Sequence, residues 1–189
     1  MSILFNAIVM NDGILPDKPI ITYFDFSNGH KNFASYDILN ELAACYPQQI
    51  RVFGKSTVMF GLEQMEKEIE EGIHERHFVI FAGLNRAKKI LSHSTTYEKS
   101  PRERLIQMVE AGPEKGVNFI IWANEPESFL EFYPEMLDWF DYRIGYELQD
   151  DALKKMFLNV NMEFGDDNTA ISYSADADNM KIRIYDAPL

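Results

Sequence analysis

The side chains placed to do chemistry sit at the ends of apolar runs: Asp25, Asn85, Arg86, Asn124 and Glu125. In an α/β protein, polar groups at the carboxyl ends of strands face the crevice where ligands bind. Asp25 closes the run IITYFDF, where it either contacts a ligand or caps the following turn. Asn124 and Glu125 follow VNFIIWA, and Asn124 either senses a ligand or caps the next helix. Residues 77–86, HFVIFAGLNR, pose the sharpest question. Phe78 to Phe81 form an unbroken apolar run, the pattern of a strand buried on both faces, and Ala82-Gly83 then turns the chain. Phosphoryl-transfer enzymes hold magnesium with carboxylates at such a strand end. Here an alanine and a glycine stand instead, and Asn85 and Arg86 occupy the loop, where they serve a ligand or a subunit interface.

The remaining motifs read as structure. GKST at residues 54–57 sits where a phosphate-binding loop, GxxxxGK[ST], would lie, but the upstream glycine position is Gln49. A tight turn with Ser56 capping the next helix is expected there. His74 and His77 are spaced HxxH, yet a helix end followed by a strand start does not hold two rings on one face, and zinc needs more ligands. DADN at 176–179 lacks the glycine and the terminal glutamate of a calcium loop. No GxSxG is present, and Cys45 is expected to pack within a helix.

Short apolar runs alternate with amphipathic stretches, which is the pattern of an α/β fold. Helical spacing of Ile3, Leu4, Ala7 and Ile8 predicts a helix over residues 2–10. Strands are expected over Ile20 to Phe26, Ile50 to Phe53, Phe78 to Phe81, Val117 to Ala123 and Tyr142 to Tyr146. Helices are expected over 36–45, 56–72, from Ser100 onward, 127–138 and 150–158. Val58, Leu62, Met65 and Ile69 give the second of these one apolar stripe. Ser100-Pro101-Arg102-Glu103 is a capping-box start. Residues 92–99 read as a polar loop, and strands near 169–174 and 180–185 enclose the turn ADADN as an edge hairpin.

With 189 residues the chain suits one domain with a sizeable core, burying roughly 70% of its unfolded surface. The net charge of −12 argues against non-specific nucleic-acid binding by the isolated chain, because phosphate neutralisation needs clustered Lys and Arg. No apolar run approaches the roughly 20 residues of a membrane span, and the start lacks the basic region of a signal peptide. The single cysteine excludes an internal disulfide and fits a reducing cytoplasm.

The order of elements resembles the RecA-like motor domain of the FtsK/SpoIIIE translocase family over most of the chain. SILFNAIV is similar to the helix after the phosphate loop, and IITYFDF to the family's second strand ending in aspartate. TVMFGLEQMEKEIEEGIHERHFVIFAG resembles the long helix leading into the Walker B strand. RLIQMVEAGPEKGVNFIIWANEP resembles the helix, turn and strand that end in an Ala-Thr-Gln-Arg-Pro loop. FDYRIGYELQDDALKKMF, NTAISY and KIRIYDAP are similar to the closing segments.

The resemblance implies a RecA-like three-layer fold: a mostly parallel sheet with helices on both faces and a C-terminal antiparallel edge hairpin, in a single domain over residues 1–189. It also exposes departures. The phosphate loop would lie before Met1; Ala82 and Gly83 stand at the Walker B Asp and Glu; Asn124 stands at the sensor glutamine, with Glu125 where Arg is usual. The turn that supplies an arginine finger reads Gly112-Pro113-Glu114-Lys115. These groups stabilise charge on the transferring phosphoryl. The expectation is therefore a DNA-translocase-type motor domain or fragment, cytoplasmic, that does not hydrolyse ATP as this chain. Its partners are expected to be proteins, as a homo-oligomer or with other motor domains, and DNA only within a larger assembly. Two alternatives stand beside it. In one, the chain is the C-terminal part of an active ATPase that binds ATP and magnesium through a phosphate loop lying upstream. In the other, it is a stand-alone α/β protein-interaction module.

Overall fold

The computed structural model describes residues 19–26, 35–54, 56–72, 76–87, 91, 99–146, 148, 150–157 and 169–183. The helix expected over 2–10 and nearly all of the loop 92–99 lie outside the described residues. The chain forms two compact units, Met1–Asn124 and Glu125–Leu189.

The first unit is built on β1 (Ile20–Asp25), β2 (Ile50–Phe53), β3 (His77–Ala82) and β4 (Val117–Trp122). These strands form one parallel sheet in the order β2-β1-β3-β4. Helices α1 (Ser35–Cys45), α2 (Val58–Glu71) and α3 (Pro101–Ala111) connect them. Because strand side chains alternate between faces, the register sorts the core into two layers. Ile21, Tyr23, Ile50, Ile80 and Ala82 face α1 and pack with its Leu39. Phe24, Phe53, Phe81 and Phe119 lie on the opposite face, with Phe24 5.2 Å from Phe53, 5.1 Å from Phe81, and Phe81 6.0 Å from Phe119. Such offset aromatic contacts add to the burial of the rings themselves. Helix α2 lies over this layer; its Gly61 is where the helix meets Phe53 and Phe24. The α/β class and the helices on both faces are thus as the sequence predicts.

Local signals hold where they are most explicit. Ser100 Oγ accepts from the Glu103 amide at 3.2 Å, and Glu103 accepts from the Ser100 amide at 2.7 Å, completing the capping box of α3. Arg104 on α3 pairs with Glu66 on α2, holding the two helices together. The start of α2 differs from expectation. Its N-cap is Thr57, not Ser56, with no side-chain cap bond, because the Thr57 hydroxyl instead bonds the Gly54 amide and carbonyl at 3.1 and 3.2 Å. Cys45 is exposed as the last residue of α1, not packed within it.

The second unit contains α4 (Pro126–Phe132), a 3-10 helix over Pro134–Trp139, α5 (Asp150–Met156), and β5 (Tyr142–Tyr146), β6 (Thr169–Ser174) and β7 (Ala177–Arg183). The single helix expected over 127–138 is broken at Tyr133, because Pro134 has no amide to donate and disfavours helical backbone in the residue before it. The closing hairpin is present, but its turn is only Ala175-Asp176, and β7 begins at Ala177. Together with β5 it forms a separate antiparallel sheet, β5-β6-β7, so the hairpin is not an edge of the parallel sheet. Leu153 and Phe157 pack on Ile171 to make this unit's core. Beside them Arg143, 9% exposed, donates to the carbonyls of Leu137 at 2.7 Å and Met156 at 2.8 Å. Those carbonyls belong to the last turns of the 3-10 helix and α5, where unpaired acceptors and the negative end of the helix dipole gather.

Candidate functional site at the carboxyl edge of the parallel sheet

In the parallel sheet, α1, which follows β1, packs on one face, while α2 and α3, which come before and after β3, pack on the other. The strand order therefore reverses between β1 and β3, which are adjacent. The carboxyl ends of two such strands diverge into a crevice where α/β proteins bind ligands. Asp25 ends β1 there, 4% exposed and beside Ala82 in register. Gly83 follows Ala82 with φ 72, a left-handed turn that favours glycine, and its amide donates to the Trp122 carbonyl at 2.8 Å. The chain then makes a short 3-10 turn, Leu84–Arg86, which carries Asn85 and Arg86.

Asn85 is 8% exposed, and among the described residues neither its Oδ1 nor its Nδ2 has a hydrogen-bond partner. Withholding an amide from water without partners costs about 1–3 kcal/mol, so this group is available to a ligand or an ordered water. Arg86 is half-buried at the end of the same turn. Asn124 follows β4 at this edge, where its Oδ1 accepts from Trp122 Nε1 at 2.7 Å. It does not cap α4: the N-cap there is Glu125, which belongs to the second unit and accepts from Ser128 Oγ at 3.3 Å. The first unit thus brings Asp25, Asn85, Arg86 and Asn124 to one edge of three adjacent strands. Among the described residues, no group of three His, Cys, Asp or Glu side chains is placed to hold a metal ion.

A buried polar row at the other end of the sheet escaped sequence reasoning. His77 opens β3, is 1% exposed and shares a hydrogen bond of 2.8 Å with the Thr22 hydroxyl. Next to Thr22 in register, Arg51 forms a bidentate pair with Glu68 of α2 at 2.5 and 3.0 Å. Burial acts to raise the Glu68 pKa, but the hydrogen bond and charge of Arg51, with help from Gln64 and His77, bring it below its usual value. Burial lowers the His77 pKa from 6.5 to about 4, aided by the Arg51 charge and opposed by Glu68. His77 is therefore a neutral core group, and half of the HxxH pattern is committed to the fold. The signal available was a polar residue interrupting each apolar strand, which by itself does not show which strands are neighbours.

The depressed His77 pKa has a signed consequence. Below pH 6.5 the unfolded chain takes up a proton that the folded chain refuses until about pH 4. Stability is thus complete above pH 6.5 and falls as pH drops toward 4. The loss amounts to roughly 3 kcal/mol at about 1.4 kcal/mol per unit. Urea denaturation at several pH values should show this decline, and His77→Gln should flatten it in that window. An unchanged slope in the variant would assign the loss to other groups.

No family model, no curated protein sequence and no solved structure matches the chain. Fold and edge together define an α/β protein with a parallel sheet and polar residues at the carboxyl edge where the strand order reverses. Among the described residues no helix is long and apolar enough to cross a membrane.

Proposed function

We propose that this chain is a motor-family module similar to the FtsK/SpoIIIE type, which acts through protein contacts and does not hydrolyse ATP by itself. The observation that carries the reading is the end of β3. This strand lies between β1 and β4 and is apolar and almost wholly buried, as a Walker B strand would be. It ends in Ala82-Gly83, and the turn that follows, Leu84–Arg86, carries no acid. Magnesium positioning and orientation of an attacking water call for carboxylates at such a place. Asp25 offers one carboxylate on the neighbouring strand, and Asn85 and Arg86 offer an amide and a cation suited to a partner or ligand. DNA, in this reading, is engaged only by a larger assembly, since a chain of net charge −12 is poorly suited to phosphate contacts on its own.

Phosphate release by the purified chain with Mg-ATP provides the test. The expected result is no release above the rate of ATP in buffer. Turnover that disappears in Asp25→Asn or Arg86→Ala would overturn the proposal.

A further inference from the structure

The two edges of the parallel sheet are guarded unequally. At one edge β2 is four residues long, IRVF, and carries a charge in Arg51. At the other edge β4 is six residues long, VNFIIW, and has no charge and no proline. Among the described residues, no strand pairs with its outer side. Edge strands of soluble proteins are normally short, charged, bulged or covered, because their free N–H and C=O groups recruit other strands. β4 has instead the composition of an interior strand. Its apolar residues lie on both faces, and Trp122 is 43% exposed.

The backbone hydrogen bonds fix which groups point outward. The carbonyls of Gly116 and Trp122 accept from the His77 and Gly83 amides on the β3 side. In a parallel ladder one strand's alternate residues bond the same neighbour, so Asn118 and Ile120 also turn inward to β3. Val117, Phe119 and Ile121 then point outward, and the Val117 amide is already used by the Gly112 carbonyl. Phe119 and Ile121 are left with both backbone groups facing away from the sheet.

That spacing is self-complementary. We propose that β4 pairs antiparallel with the β4 of a second copy of this chain, about a two-fold axis at Ile120. Phe119 of each copy then faces Ile121 of the other, and each such pair exchanges both of its backbone hydrogen bonds. Ile120 faces Ile120, and Asn118 faces Trp122. The aromatic-to-β-branched pairs across the join are favourable ones, and no charge meets its like within the strand. The two parallel sheets become one continuous sheet, and the interface is isologous, the commonest kind in homodimers. The net charge of −12 on each copy opposes approach at long range, so added salt strengthens the dimer. This inference is independent of the nucleotide reading, since it concerns assembly and not phosphate release.

Sedimentation equilibrium of the whole chain from low to high micromolar concentration tests it. The expected result is a mass rising from one chain to two, at lower concentration in higher salt. Ile121→Pro removes an outward amide and leaves the inward ladder to β3 intact; it should stay at the mass of one chain with an unchanged far-ultraviolet spectrum. Ile120→Lys, which sets two cations face to face, should act alike and serves if the proline variant does not fold. A wild-type chain that stays monomeric throughout, or a dimer that survives in a folded variant, would overturn the proposal. A monomer would leave the β4 edge to a strand of other origin.

Discussion

Gly61→Val should destabilise the parallel-sheet unit by about 3 kcal/mol or more, the upper part of the range for overpacked cores. Gly61 lies within α2, where glycine is otherwise a poor choice and alanine would favour the helix. The reason for it is contact with the aromatic layer. A Cβ added there would stand 2.5 Å from Phe53 Cγ and 2.7 Å from Phe24 Cε1. Neither ring can retreat freely: Phe24 is fully buried and stacks with Phe53 and with Phe81 in the next strand. A valine adds further carbons to the same clash, so α2 must lift from the sheet. Urea denaturation followed by tryptophan fluorescence reads the result by unit, since Trp122 lies in the first unit and Trp139 in the second. Single-tryptophan versions, Trp139→Phe and Trp122→Phe, should show the loss in the first unit. Gly72→Ala is the contrasting case, with open space around it and only a positive φ of 89 to oppose the side chain. It should cost about 2 kcal/mol through backbone strain alone, because φ 89 with ψ 130 lies outside the left-handed helical well. Equal effects at the two glycines would show that the close approach of α2 to Phe24 and Phe53 is not what holds Gly61.

Arg143→Met should cost the second unit about 2 kcal/mol, because the half-buried Met156 carbonyl loses its charged donor and the Leu137 carbonyl keeps only the Phe140 amide, at 3.2 Å. The guanidinium reaches Leu137 and Met156 at once and lies 4.5 Å from the centre of the Tyr173 ring. It thereby ties the ends of the 3-10 helix and α5 to β5 and β6. Methionine keeps the apolar stem of arginine but donates to neither acceptor. Arg143→Lys keeps the charge, yet a single ammonium cannot reproduce the planar fork that spans two acceptors. It should fall between the wild type and methionine. The fluorescence of Trp139 is the readout, and a methionine variant as stable as the wild type would reduce Arg143 to a packing role.

The parts of this fold legible in the sequence are those written by short-range physics. HFVIFA is apolar at nearly every position, and such a run survives only between two covered faces, so β3 emerges as a central strand. The capping box at Ser100 and Glu103 is a contact between residues three apart, and it forms as read. Pro134 was overridden in the sequence by the apolar stripe from Phe129 to Leu137, which predicts one helix over 127–138; the break after Phe132 follows from the missing amide. The candidate site residues Asp25, Asn85, Arg86 and Asn124 were found because a strand end announces itself in the chain. What was hidden in each case was the partner. Nothing local says that Asn85 is buried without a side-chain hydrogen bond among the described residues, that Asn124 bonds the indole two residues before it, or that Thr22 meets His77 across strands.

Periodicity, capping and turn chemistry by themselves therefore determined that this protein is α/β, where most of its strands lie and which strand ends carry polar groups. They act between neighbours along the chain, and their energies need no other part of the molecule. Tertiary structure decided the order β2-β1-β3-β4, the division into a parallel and an antiparallel sheet, and the pairing of Arg51 with Glu68 and of Arg143 with two helix ends. Those depend on which surfaces meet in space. An apolar strand such as VNFIIW has the same pattern at the middle of a sheet or at its edge, and only the packed neighbours distinguish the two.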